Sequence, residues 1–153
     1  MIKVNVVLDH TPWKKKIKSP EIYLKKKLNK LSKVYPFKNK SKEFSILLTN
    51  NKMMKDLNKK FRKKNKSTDV LSFPFYEKNQ LNNKIRKEKE VYLGDIIINL
   101  SQVKKKNNKA KFKEELNKLW IHGLLHLLGY DHKSNSQYLQ MQKIEKKFSY
   151  LIK

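Results

Sequence analysis

The apolar positions of this chain change period several times, and each change marks an element. Ile2, Val4, Val6 and Leu8 alternate with other side chains, which predicts a half-buried strand. Ser19-Pro20-Glu21 then carries the signature of a helix start, and Ile22, Leu24, Leu28 and Leu31 recur at helical spacing up to a stop expected at Pro36. Phe44 to Leu48 is a second strand candidate. From Asn50 the helical period returns with Met53, Met54, Leu57 and Phe61, and Arg62 to Lys66 follows as a basic connector. Val70 to Phe75 is a short apolar run closed by Pro74, as expected of an edge strand.

The stretch from Glu77 to Glu90 is charged and poor in apolar positions, and it is expected to be a mobile loop. Val91 to Leu100 predicts a buried strand interrupted by Gly94-Asp95, with Ser101 capping a short helix and a basic, Asn-rich linker from Lys104 to Lys111. The strongest helix signal follows: Phe112, Leu116, Leu119, Trp120, Leu124 and Leu127 repeat at three and four residues, and Gly129 supplies a C-terminal stop. Tyr138, Met141, Ile144, Phe148 and Leu151 mark a final helix. Strands and helices interleave without the regular alternation of a doubly wound fold. The expected fold is therefore α/β in the α+β sense: one domain over residues 1–153, with a small mixed sheet packed by helices.

Composition narrows the chemistry. At 153 residues and 38% hydrophobic, the chain can build a modest core but not a large one. It has no cysteine, so disulfide scaffolds, thiolate zinc sites and cysteine nucleophiles are excluded, and any metal must rest on imidazole and carboxylate. The beginning lacks the apolar stretch of a signal peptide, and nothing approaches the roughly 18 apolar residues of a membrane span. A cytoplasmic protein without a membrane partner is expected. Lys and Arg number 38 against 13 acidic residues, a formal net charge of +25. A polyanionic partner such as nucleic acid would account for it, and so would a genome biased towards lysine and asparagine codons. Net charge alone leaves both readings open.

Three of the four histidines fall in His122-Gly-Leu-Leu-His126-Leu-Leu-Gly-Tyr-Asp-His132. Residues four apart lie one helical turn from each other, so His122 and His126 share a face and can share an ion. Gly129 can end the helix with positive φ and swing His132 back as a third ligand. Three imidazoles with an open fourth position make a catalytic zinc geometry rather than a structural one. The same spacing occurs in the long zinc-protease motif, where a glutamate general base follows the first histidine. Here that position is Gly123, so a protease would lack its base. His10 has no partner at metal-ligand spacing and reads as a surface residue.

The histidine segment resembles the signature of the bacterial YbeY endoribonucleases, which act in rRNA maturation. Ser67-Thr-Asp-Val-Leu-Ser-Phe-Pro74 and Leu93-Gly-Asp-Ile96 resemble two further blocks of that family, and Leu57-Asn58 with Arg62 stands where the family has its Leu-Asn and arginine. Met141 and Glu145 extend the match, while the N-terminal third follows it in pattern only. The resemblance implies a zincin-like α/β domain with one zinc ion on His122, His126 and His132. It also implies hydrolysis of single-stranded RNA, processing of the 3′ end of 16S rRNA precursors, a part in ribosome quality control, and contact with the small ribosomal subunit and assembly factors. It makes Arg62 a second functional residue, and a guanidinium does match phosphate bidentately.

Other polar residues near these blocks carry two readings each. Asp131 can orient an imidazole or accept a proton, or can cap the chain reversal after Gly129-Tyr130. Thr68 and Asp69 can serve the site or cap a strand end. Asp95 is expected to make a structural hydrogen bond. Ser72, Phe73 and Phe75 can line an RNA groove, with strand packing as the plainer role. A non-catalytic RNA-binding assembly factor with a structural metal is the alternative to the nuclease, and a metalloprotease with a base elsewhere is the third.

Overall fold

The structure, a computed structural model, describes residues 1–34, 37–38 and 40–153. Four strands form one mixed sheet: β1 (Ile2–Leu8), β2 (Ser41–Thr49), β3 (Val70–Pro74) and β4 (Glu90–Asn99), in the order β1-β2-β4-β3. The first three in that order run parallel, and β3 pairs antiparallel to β4 at the edge. A proline that cannot donate to a ladder closes β3, as its edge position allows.

Among the described residues the helices are α1 (Trp13–Lys16), α2 (Pro20–Leu31), α3 (Asn51–Arg62), α4 (Lys78–Lys87), α5 (Lys109–Leu127) and α6 (Asn135–Leu151). The alternation of β4 divides them between two layers. Ile96 and Ile98 join the main core with Leu24 and Leu28 of α2, Trp120 and Leu124 of α5, and Met141 and Phe148 of α6. Ile97 points the other way, into a small cluster with Met54 of α3 and Leu71 of β3. Helix α5 thus lies on the main-core face of the sheet and α3 covers the opposite one.

The observed element order agrees with the predicted fold class, with three differences of detail. The segment expected to be a mobile loop from Glu77 to Glu90 contains α4. Its buried Leu81 and half-buried Ile85 are too few for a visible period, and its start is set by polar chemistry, with Glu77 N–H donating to Gln80 Oε1. The short turn over Leu100–Gln102 is capped by the Asn99 side chain, which accepts from Ser101 N–H, so Ser101 is the capped residue and not the cap. Ile22, Met53, Phe61 and Tyr138, which fall on predicted apolar faces, are exposed because no second layer covers those parts of their helices. The stop expected at Pro36 lies outside the described residues, and α2 ends at Leu31.

Candidate metal centre

Helix α5 supplies the rigid part of the site. Asn108 caps it by accepting the Lys111 N–H, and its apolar stripe is buried against the sheet. His122 and His126 stand on its half-buried side with ring centroids 4.7 Å apart. The helix ends where the sequence places its glycine: Tyr130 N–H donates to the Leu125 carbonyl and Gly129 N–H to that of His126, with Gly129 at φ +91°. This reversal brings His132 to 5.5 Å from His122 and 5.0 Å from His126, centroid to centroid. Candidate ligand atoms of the three histidines all lie within 4.8 Å of one another.

Hydrogen bonds on the far side of the rings set their tautomers. The Glu145 carboxylate, from α6, lies 2.5 Å from His122 Nδ1, and the Tyr130 carbonyl lies 3.0 Å from His126 Nδ1. Both oxygens accept, so each Nδ1 carries the proton and each Nε2 presents a lone pair. Those two Nε2 atoms are 3.1 Å apart. Two facing lone pairs at that distance repel unless a cation sits between them. Ligands on a tetrahedral zinc with bonds of about 2.0–2.1 Å lie roughly 3.3 Å apart, so the residues fit a metal ion. Burial, followed by the charges that His122 and His132 would carry, pushes the His126 pKa below its ordinary value and keeps this ring in the ligand form.

The departure from the protease motif has a packing cause. A Cβ on Gly123 would come 2.8 Å from Ile96 Cγ2, because α5 lies directly on β4 at this point. The position is filled by the sheet, and no glutamate fits there. The carboxylates near the histidines come from elsewhere. Asp69 shares a concavity with His122 and Glu145, where it accepts Val70 N–H at 2.8 Å and the Thr68 hydroxyl at 3.3 Å. Asp131 borders the concavity that holds His126, and it accepts the backbone N–H of His132 at 2.8 Å. That bond is the main reason its carboxyl lies below its ordinary value. The bond from His132 N–H is the contact that a cap on the chain reversal makes.

Arg62 is the last residue of α3, exposed, with no hydrogen bond or ion pair among the described residues. It lines neither concavity that holds a histidine. Asp95 accepts the Tyr92 hydroxyl at 2.6 Å, as a structural partner would, but at the surface. Ser72 is buried and Phe73 packs on Phe61, whereas Phe75 is 62% exposed and lines the concavity with His126. Sequence reasoning gave Glu145 no role of its own. Its position beside Ile144 on α6 carries no local signal, and only the packing of α6 on α5 reveals it.

A family model described as Endoribonuclease YbeY matches residues 9–152. The chain belongs to the YbeY endoribonuclease family. Endoribonuclease YbeY of Pelagibacter ubique is 44% identical, over 95% of this chain and 92% of that protein. Endoribonuclease YbeY of Bartonella quintana is 37% identical, over 95% and 90% respectively. A solution structure of a Thermotoga maritima protein covers 99% of this chain and 89% of its own with a TM-score of 0.54, and at 24% identity the likeness is one of fold alone. Among the described residues no helix is long and apolar enough to cross a membrane.

Proposed function

We propose that this YbeY-family protein is a zinc-dependent endoribonuclease of the cytoplasm. It cleaves single-stranded RNA, including the 3′ end of small-subunit rRNA precursors, in contact with the ribosomal subunit and its assembly factors. His122, His126 and His132 hold one zinc ion per chain. The observation that carries the reading is the pair of Nε2 atoms 3.1 Å apart, with a third imidazole beside them. Three protein ligands leave a coordination position for a substrate oxygen.

When bound, the ion supplies a Lewis acid for a phosphoryl oxygen and acidifies water. The chain's own groups do the rest. Glu145 and the Tyr130 carbonyl hold two imidazoles in the liganding tautomer. Asp69 and Asp131 are the carboxylates beside the centre that can take a proton from the attacking oxygen. Arg62 supplies a phosphate contact from its unpaired guanidinium.

The test pairs elemental analysis with RNA cleavage before and after chelation. About one zinc per chain, with cleavage lost on chelation and restored by metal, is the expected result. His126→Ala should keep the fold and lose both metal and cleavage. A folded, zinc-loaded protein that binds RNA and never cuts it, with or without ribosomal subunits, would instead make it an assembly factor.

A further inference from the structure

The metal centre lies between two open grooves. On one side His126 borders a concavity with Phe75 and Tyr130. On the other, the concavity of His122 and Glu145 shares Lys118 and Ser149 with a larger basin of about 790 Å³ between α2, α5 and α6. An endonuclease must accommodate chain on both sides of the bond it cuts, and the basin continues the path away from His122.

The basin is built for anions. Lys26, Lys27 and Lys30 of α2 face Lys113 and Lys118 of α5 across it, and Glu114 is the one acidic side chain in its lining. Nearby carboxylates are used elsewhere: Glu21 pairs with Lys25 and Glu115 with Lys118. Among the described residues, Lys26, Lys27, Lys30 and Lys113 have no carboxylate partner.

Its floor is ordered. Lys27 and Lys113 place their ammonium groups 5.7 Å and 5.5 Å from the centroid of one ring, that of Tyr23. The Tyr23 hydroxyl is anchored on Asn117 Oδ1 at 3.0 Å, and Lys27 donates to the Ile152 carbonyl at 2.8 Å. Burial first, and after it the neighbouring Lys30, Lys26 and Lys113, lower the Lys27 pKa. Two ammonium groups on one ring, with Lys26, Lys30 and Lys118 beside them, concentrate positive charge at the end of a groove that starts at the metal centre.

We propose that this basin holds the backbone of single-stranded RNA beyond the scissile nucleotides. The strand then runs from the α2–α5–α6 basin over Lys118, across the histidines and out past Phe75. Lysines are point charges without the planar fork of arginine, so the basin grips phosphates without reading sequence. This inference rests on the nuclease reading above.

The experiment uses full-length protein stripped of metal, so that binding is read without cleavage, with labelled short and long oligouridylates. Wild type should bind the long strand more tightly. Lys26→Gln/Lys30→Gln/Lys113→Gln should lower long-strand affinity about tenfold and reduce the slope of log K on log salt by roughly 2, because single strands release about 0.7 counterion per neutralised phosphate. Short-strand binding should be unchanged. The control Lys3→Gln/Lys52→Gln/Lys55→Gln removes the same charge from β1 and α3 and should leave both strands bound as in wild type.

Equal losses from the two triple variants, or equal effects on short and long RNA, would overturn the basin and return its charge to general attraction. Tighter binding of polyglutamate than of the long RNA, abolished by the basin variant alone, would overturn it in favour of an acidic protein partner. The two readings fail separately: zinc-restored cleavage with an indifferent basin variant defeats the basin alone. A wild-type protein that neither binds nor cuts RNA defeats the nuclease reading and the basin with it.

Discussion

Glu145 Oε1 lies 2.5 Å from His122 Nδ1, so the last helix reaches across the molecule and holds the first histidine of the metal-site helix. The carboxylate fixes the proton on Nδ1 and leaves Nε2 as the liganding nitrogen. Glu145→Gln keeps an acceptor of similar size without the charge, and Glu145→Ala removes both. Zinc affinity should fall by roughly 10- to 100-fold in the alanine variant and less in the glutamine variant. A competition titration against a chelator measures this. Unchanged affinity in both variants would show that the contact does not support the metal.

Gly123 is held to glycine by Ile96, whose Cγ2 would lie 2.8 Å from a new Cβ. Gly123→Ala gains about 1 kcal/mol of helix propensity, but overpacking against a stiff β-branched side chain costs roughly 1–3 kcal/mol. The variant should therefore be less stable, by about 1 kcal/mol, in urea unfolding. Ile96→Ala in the same chain should make the alanine at 123 stabilising relative to glycine. Installing a protease-like base as Gly123→Glu should lower stability further and yield no peptidase activity.

The pH dependence has a definite sign. His126 holds its proton less tightly in the folded chain than in the unfolded one, chiefly through burial. As pH falls through about 6.5 the unfolded state binds the extra proton, so stability is level above that point and declines below it. Metal binding adds in the same direction, because ligating imidazoles must be neutral. Thermal midpoints of metal-free protein should drop between about pH 7 and pH 5, those of zinc-loaded protein should drop further, and cleavage should fade below about pH 6.5. Full cleavage at about pH 5 is incompatible with the three-histidine centre.

Phe75 is exposed beside the concavity of His126, and its ring meets those of Tyr76 and Tyr92 edge-on at 4.9 Å and 5.6 Å. A supported ring with a free face suits a nucleobase. Phe75→Ala should weaken RNA binding by about 1–3 kcal/mol, with Phe75→Trp restoring it. Fluorescence quenching of a base analogue placed next to the cleaved bond reports the stacking. Quenching that survives in the alanine variant would assign the base to another surface.

Much of the architecture is legible along the chain because it depends on local periods. The alternation of Ile2 to Leu8, the edge proline at 74 and the long stripe from Phe112 to Leu127 each report burial against one partner surface. Helix α4 stayed hidden because one buried leucine makes no period and its start is a polar bond between Glu77 and Gln80.

The histidine cluster was readable for a similar reason. Four-residue spacing and a glycine at a helix end are local geometry, so His122-x-x-x-His126 with Gly129 specifies a shared face and a reversal before any tertiary contact forms. What the sequence could not determine depends on elements that meet only when the chain is packed. Glu145 comes from α6 to hold His122, Ile96 of β4 occupies the space where a base would stand, and α2 brings its lysines against those of α5. Local periodicity reports which face of an element is buried, whereas side-chain pairing across elements depends on how the helices seat on the sheet, and that is settled by packing the whole core at once.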